Sequence, residues 1–250
     1  MRAIGSILAA LILGLGSTQW VYASAASNQT ATDKQAAASA AELKGDLARI
    51  HKNFDAAIGD YQTAIRLDPR NAMLYNKVGI ARLQLRDHGG ARKAFKRAID
   101  LEPHNPNFLN NMGALYYLDK KYNDSLRYLK QALALDENNA ACHLNIAEAW
   151  LGLGQMDRAM TEYARALELD ADILTSSEDG VVAQVRTPEQ RARIDYLIAK
   201  AYARRGNVEG ALEYLKRAKD GHYADLHKLY DDQDFATVWG DPRLVKIVKK

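Results

Sequence analysis

The sequence predicts an all-α fold of stacked helical hairpins, and three observations predict it. Residue types recur every 34 positions, apolar residues inside each period are spaced three or four apart, and prolines number only five in 250 residues. Spacing of three to four puts apolar side chains on one stripe of a helix. A fixed period of this length marks units that bury their apolar faces only against their neighbours.

The chain opens with an expected export signal. Arg2 is the one charge before Asp33, and Ile4, Ile7, Leu8, Leu11, Ile12, Leu13 and Leu15 form an apolar run of about a dozen residues, too short for the roughly 20 that span a bilayer. Small residues follow at Ala23, Ser24 and Ala25, so residues 1–25 read as a signal peptide cut after Ala23 or Ala25. An uncleaved anchor is the alternative. No cysteine stands near the cut for lipid attachment, which points to a periplasmic or secreted protein. Residues 26–37 are polar and Ala-rich and are expected to form a flexible leader.

Repeats one to four span residues 38–171. A small residue recurs at Gly45, Gly79, Gly113 and Ala147, and another at Ala57, Ala91, Ser125 and Ala159. A large one recurs at Tyr61, Phe95, Leu129 and Tyr163, followed by Ala64, Ala98, Ala132 and Ala166. The small positions let two helices approach closely, and the large residue is expected to fill the gap toward the next unit. Asp68-Pro69 and Glu102-Pro103 stop the second helices, because proline cannot continue them. Lys44 stands where a core leucine is expected, so the first helix is expected to fray.

These positions resemble the tetratricopeptide repeat: Tyr75, Val78-Gly79, Ala91, Phe95, Ala98 and Pro103 in repeat two, and Ile146-Ala147, Trp150, Gly154, Ala159, Tyr163 and Ala166 in repeat four. Repeat three departs from the pattern at Ser125 and Glu137. The resemblance implies a right-handed α-solenoid of about five repeats. It also implies that Gly89, Gly90, Gly152 and Gly154 sit at turns.

A fifth unit, residues 188–222, fits the template through Ile198-Ala199, Tyr202, Gly206, Ala211, Leu215 and Ala218. Ala147 to Ala199 is 52 residues, one period plus 18, which places an inserted loop at 172–187. Thr187 is the expected N-cap and Pro188 the first helical residue after it. Residues 223–250 are expected to form a capping helix pair, with Phe235, Val238, Trp239, Leu244, Ile247 and Val248 covering the last repeat's open face. This ending resembles the Asp-x-x-Phe…Asp-Pro-Arg segment of many exported proteins of the same repeat type.

Little points to chemistry. The formal charge of +3 comes from 34 bases and 31 acids with no basic stripe, which argues against nucleic acid. The single cysteine, Cys142, makes no internal disulfide and reads as a small core residue. No hydrolase, zinc-protease or phosphate-loop motif occurs. His222, Asp225 and His227 read as a polar turn rather than a metal site, and Asp231-Asp232 as a solvent-facing or capping pair. No catalytic residue, metal or cofactor is expected.

The resemblance implies that the first helices line a concave groove. Its groove positions are Asn76, Lys77, Asn107, Asn110, Asn111, Tyr117, Asn145, Glu148, Tyr196, Lys200 and Arg204. Asparagine offers both a donor and an acceptor, so a row of them pairs with an extended peptide backbone. The expectation is a non-catalytic scaffold holding a protein or peptide partner. The alternative is a structural subunit of an envelope assembly, secretion or pilus machine.

Overall fold

The computed structural model describes residues 32–173 and 187–248. The expected signal peptide, the expected leader up to residue 31 and residues 174–186 of the expected inserted loop lie outside the described residues. The chain divides into two compact units, Met1–Pro103 and His104–Lys250.

The first unit holds two helical hairpins. Residues 32–50 (α1) pair with α2 (Phe54–Leu67), and α3 (Ala72–Gln84) pairs with α4 (His88–Leu101). Two expectations change here. Residues 32–37, placed in the leader, are helical, as an alanine-rich run with no helix breaker allows. Lys44 does not fray the first helix, because its amine lies on the outside, 3.1 Å from Asp60.

The second unit holds three hairpins: α5 (Pro106–Leu118) with α6 (Tyr122–Leu135), α7 (Ala140–Gly152) with α8 (Met156–Leu169), and α9 (Pro188–Arg204) with α10 (Val208–Asp220). Thr187 caps α9 in a full capping box with Gln190, ahead of Pro188. The C-terminal cap is not a helix pair. Two 3-10 turns, Leu226–Tyr230 and Gln233–Phe235, precede α11 (Pro242–Val248). Phe235, Val238 and Leu244 are fully buried against Leu212, Leu215 and Leu229.

The recurring positions are the core. Ala57, Tyr61, Ala64 and their counterparts in all five hairpins are 0% exposed. The large residue packs both within its own hairpin and against the next one, Tyr61 sharing a core cluster with Val78 and Tyr163 with Ile198. A Cβ added at Gly79 would meet the Phe95 ring at 2.4 Å, and one at Gly113 would meet Leu129 at 2.6 Å. Glycine there is the space the large side chain occupies.

The first helices also end alike. Lys52, Arg86, Lys120, Gly154 and Gly206 share one template position and all have φ between 57° and 73°. The next amide donates five residues back, as from Asp87 to Arg82 and from Gln155 to Trp150, both at 2.9 Å. That is the Schellman closure, which satisfies carbonyls left open at a helix end. Of the four glycines expected at turns, Gly154 alone takes this conformation. Gly152 ends α7, and Gly89 and Gly90 lie in the first turn of α4.

Candidate functional site

The first helices carry two polar ladders, one in each unit, built on the same register. In the first unit, Lys77 Nζ on α3 donates to Glu42 at 2.6 Å and Asp46 at 2.7 Å on α1. In the second, Asn145 Nδ2 on α7 donates to Asn110 Oδ1 on α5 at 3.0 Å. Both Lys77–Glu42 and Asn145–Asn110 span 35 residues, one period plus one. Neighbouring first helices therefore bring successive template positions into contact. Burial lowers the basicity of the Lys77 amine, but its bonds to Asp46 and Glu42 outweigh that and hold its pKa above the ordinary lysine range.

Four of the predicted groove residues lie in the interior. Asn76 is 5% exposed, with its amide 4.0 Å from the Met73 sulfur. Glu148 is 1% exposed and accepts from Tyr163 OH at 2.6 Å and Tyr117 OH at 3.1 Å. Tyr117 is thus a buried donor instead of a surface contact. Tyr196 is buried too, its ring 4.7 Å from Tyr223 and 5.2 Å from Phe235 of the cap. Tyr117 and Glu148 are covered by neighbouring helices and Tyr196 by the cap, so they shape the wall without projecting a side chain into solvent. Asn107 is exposed at the start of α5, and Asn110, Asn111 and Asn145 are half-buried.

Lys200 and Arg204 line a cleft of 770 Å³ between α8 and α9, together with Arg165, Glu168, Leu197 and Asp234. They do not face it unpaired. Lys200 Nζ lies 2.7 Å from Asp232 and 3.1 Å from Asp234, and Arg204 lies 3.3 Å from Asp234 and 3.4 Å from Glu168. Burial works against the Lys200 charge, but the two aspartates raise its pKa above the ordinary value. The cap thus anchors itself to the basic positions of α9, helped by Thr237 Oγ1 donating to Ala203 O at 2.8 Å.

Sequence reasoning missed this anchoring and also the half-buried Tyr61–Asp46 and the buried Tyr163–Glu148 pairs. The signal for the pairs was present. Asp46 and Glu148 fall on one template position and Tyr61 and Tyr163 on another, and the acid occurs in just the repeats that have the tyrosine.

Comparison with known proteins agrees with this geometry. Tetratricopeptide-repeat profiles match residues 22–72, 42–106, 76–122 and 116–175, more than half of the chain. No curated protein sequence matches. Among solved structures, PilF of Pseudomonas aeruginosa is 17% identical, with 86% of this chain and 94% of that one covered and a TM-score of 0.56. MamA of Desulfovibrio magneticus RS-1, residues 41 to the end, is 16% identical, with 78% and 97% covered and a TM-score of 0.52. A further MamA structure is 18% identical, with 78% and 94% covered and a TM-score of 0.51. At these identities the likeness is one of fold. The profiles stop before α9, yet α9 and α10 repeat the buried positions of the earlier hairpins. With its 34-residue period, its paired helices and these matches, the chain belongs to the tetratricopeptide-repeat family.

Proposed function

We propose that this chain is a non-catalytic scaffold that binds an extended segment of a partner protein along the first-helix face of its second unit. The tetratricopeptide fold generally mediates protein–protein interaction, and the first helices are where side chains of mixed donor and acceptor character line up. The carrying observation is the Asn145–Asn110 pair, with Asn111 beside it and Asn107 exposed at the start of α5. An amide pair already in register presents donor and acceptor groups at the spacing of successive helices. A peptide backbone bound there gains affinity with little demand on sequence, and the cleft holding Lys200 and Arg204 adds charge selectivity at one end.

Tyr117, Glu148, Tyr196 and, in the first unit, Asn76 hold the wall rigid in this reading, while Lys77 is held by Glu42 and Asp46 in the first unit's own ladder. The apolar start of the chain supports a location in the cell envelope or outside the cell. Among the described residues, no helix is long and apolar enough to cross a membrane.

The test is affinity purification from the native host with Asn110, Asn111 and Asn145 all replaced by alanine. Loss of the partner, with helical circular dichroism and melting temperature retained, is the expected result. Retention of every partner by the folded triple variant would remove the amide ladder from the binding site.

A further inference from the structure

Between α9 and the cap lies a second cavity, of 600 Å³, lined by Tyr196, Tyr223, Asp225, Lys228, Asp231 and Asp232. The cleft between α8 and α9 holds Lys200, and this cavity holds its partner Asp232, so one ion pair borders both. Four bases and three acids line the first, whereas three acids and one base line the second.

Two polar groups of this cavity have no partner. Among the described residues four tyrosines are buried, and three of them have a carboxylate acceptor: Asp46 for Tyr61, and Glu148 for Tyr163 and Tyr117. Tyr196 is the fourth. It is 8% exposed, its ring held against Tyr223 and Phe235, yet its hydroxyl makes no hydrogen bond to any described residue. Nor is that hydroxyl sealed in the interior, so it opens on the cavity that Tyr196 lines. The second group is the Asp231 carboxylate, exposed on the lining with no ion pair or hydrogen bond to a described residue. A buried phenol without an acceptor and a carboxylate without a cation call for a ligand that carries both.

We propose that this cavity holds an arginine or lysine of the bound partner segment, its cationic head on Asp231 and its backbone carbonyl accepting from the Tyr196 hydroxyl. The occupant rests on the scaffold reading above; the chemistry of the cavity does not. The stacked Tyr196 and Tyr223 rings offer the cation a π face as well. Lys228 does not neutralise the site. It pairs with Asp225 at 3.0 Å, with 61% and 47% of the two side chains exposed, and an exposed pair of that kind holds little energy. Lys200 is occupied by Asp232 and Asp234. Burial and the nearby carboxylates raise the Tyr196 pKa above its ordinary 10.0, so the phenol stays a neutral donor.

The test is titration of the full-length protein with acetyl-Ala-Arg-Ala-amide, followed by NMR at the Tyr196 and Tyr223 rings. A Kd on the order of 1 mM is expected, about ten-fold weaker for the citrulline peptide, which keeps the shape of arginine without its charge. Asp231→Asn should weaken the arginine peptide several-fold. Tyr196→Phe, which keeps the ring and its packing, should weaken the peptide but not methylguanidinium, which has no carbonyl. No binding up to about 20 mM, equal binding of the citrulline peptide, or an unchanged Kd in Asp231→Asn overturns the proposal. Methylguanidinium bound as tightly as the peptide would make this a site for free cations and overturn the segment as its occupant. The Asn110, Asn111 and Asn145 triple variant should bind the peptide as the parent does, so failure of the amide ladder and failure of this cavity are read separately. Loss of the peptide in that variant would move the probe out of the cavity and overturn the proposal.

Discussion

Repeats one and four solve the packing of their hairpins differently from repeats two and three. The first pair places a tyrosine at the large position and an acid on the facing first helix: Tyr61 OH donates to Asp46 at 2.8 Å and Tyr163 OH to Glu148 at 2.6 Å. The second pair has Phe95 with Ile80 and Leu129 with Ala114, with no polar atom at either place. Both solutions leave the large side chain fully buried. The lesson is that the two positions are one decision. A buried phenol needs an acceptor, and a buried carboxylate needs donors, so neither changes alone without cost.

Breaking that rule in repeat four gives the largest expected effect. Glu148→Ala takes the carboxylate acceptor from Tyr163 and Tyr117 and opens a cavity, at a cost of about 2–4 kcal/mol in urea unfolding. The double change Glu148→Ile with Tyr163→Phe copies the Ile80–Phe95 solution of repeat two. It should cost at least about 1 kcal/mol less than the sum of the two single changes. Strict additivity would show that the two positions are independent.

The two polar repeats also differ from each other, and the difference is readable with pH. Glu148 is deeply buried, whereas Asp46 lies at the edge of its hairpin with Lys77 beside it. Burial raises the Asp46 pKa, but hydrogen bonds from Lys77 and Tyr61 outweigh it and leave the carboxyl below its ordinary 3.8. A folded pKa below the unfolded one means that ionised Asp46 stabilises the fold fully above 3.8, and that this contribution fades as pH falls through the lower folded value. Tyr61→Phe removes one of those bonds. It should cost about 1.5–3 kcal/mol at pH 7 and progressively less below pH 4, measured by urea unfolding across that range. The phenol reports the same contact from the other side. Burial, then the bond to Asp46, pushes Tyr61 up to about 12.

The contrast also explains what the sequence makes legible. The period was readable because each fully buried position tolerates few residue types, so Ala64, Ala98, Ala132 and Ala166 repeat almost without variation. The fifth unit was readable for the same reason, despite the 18 residues inserted before it. Side-chain direction was less so. A helical template says which residues lie near one face, but Tyr117, Glu148 and Tyr196 were placed at a surface when the next helix or the cap covers them. Whether a side chain at such a position stays in solvent depends on the partner that packs over it, and a single-chain period carries no record of that. The docking of Asp232 and Asp234 on Lys200 and Arg204 was hidden for a similar reason: it is a long-range pairing, and the cap lies outside the repeat.

Repeat three sharpens the comparison from the opposite direction, because it breaks the pairing rule without compensation. Ser125 stands where repeats one, two, four and five have Ala57, Ala91, Ala159 and Ala211, and all five positions are 0% exposed. Its hydroxyl is buried without a hydrogen-bond partner. A tyrosine in repeats one and four enters the interior with its acceptor, whereas this serine enters alone and loses its hydration for nothing in return. Ser125→Ala should therefore stabilise the protein by about 1 kcal/mol, the reverse of the usual sign for a core substitution. The change is read as a higher urea midpoint with an unchanged slope, since the surface exposed on unfolding stays the same. A lower midpoint would mean that the hydroxyl has an acceptor in solution, and that repeat three obeys the pairing rule after all.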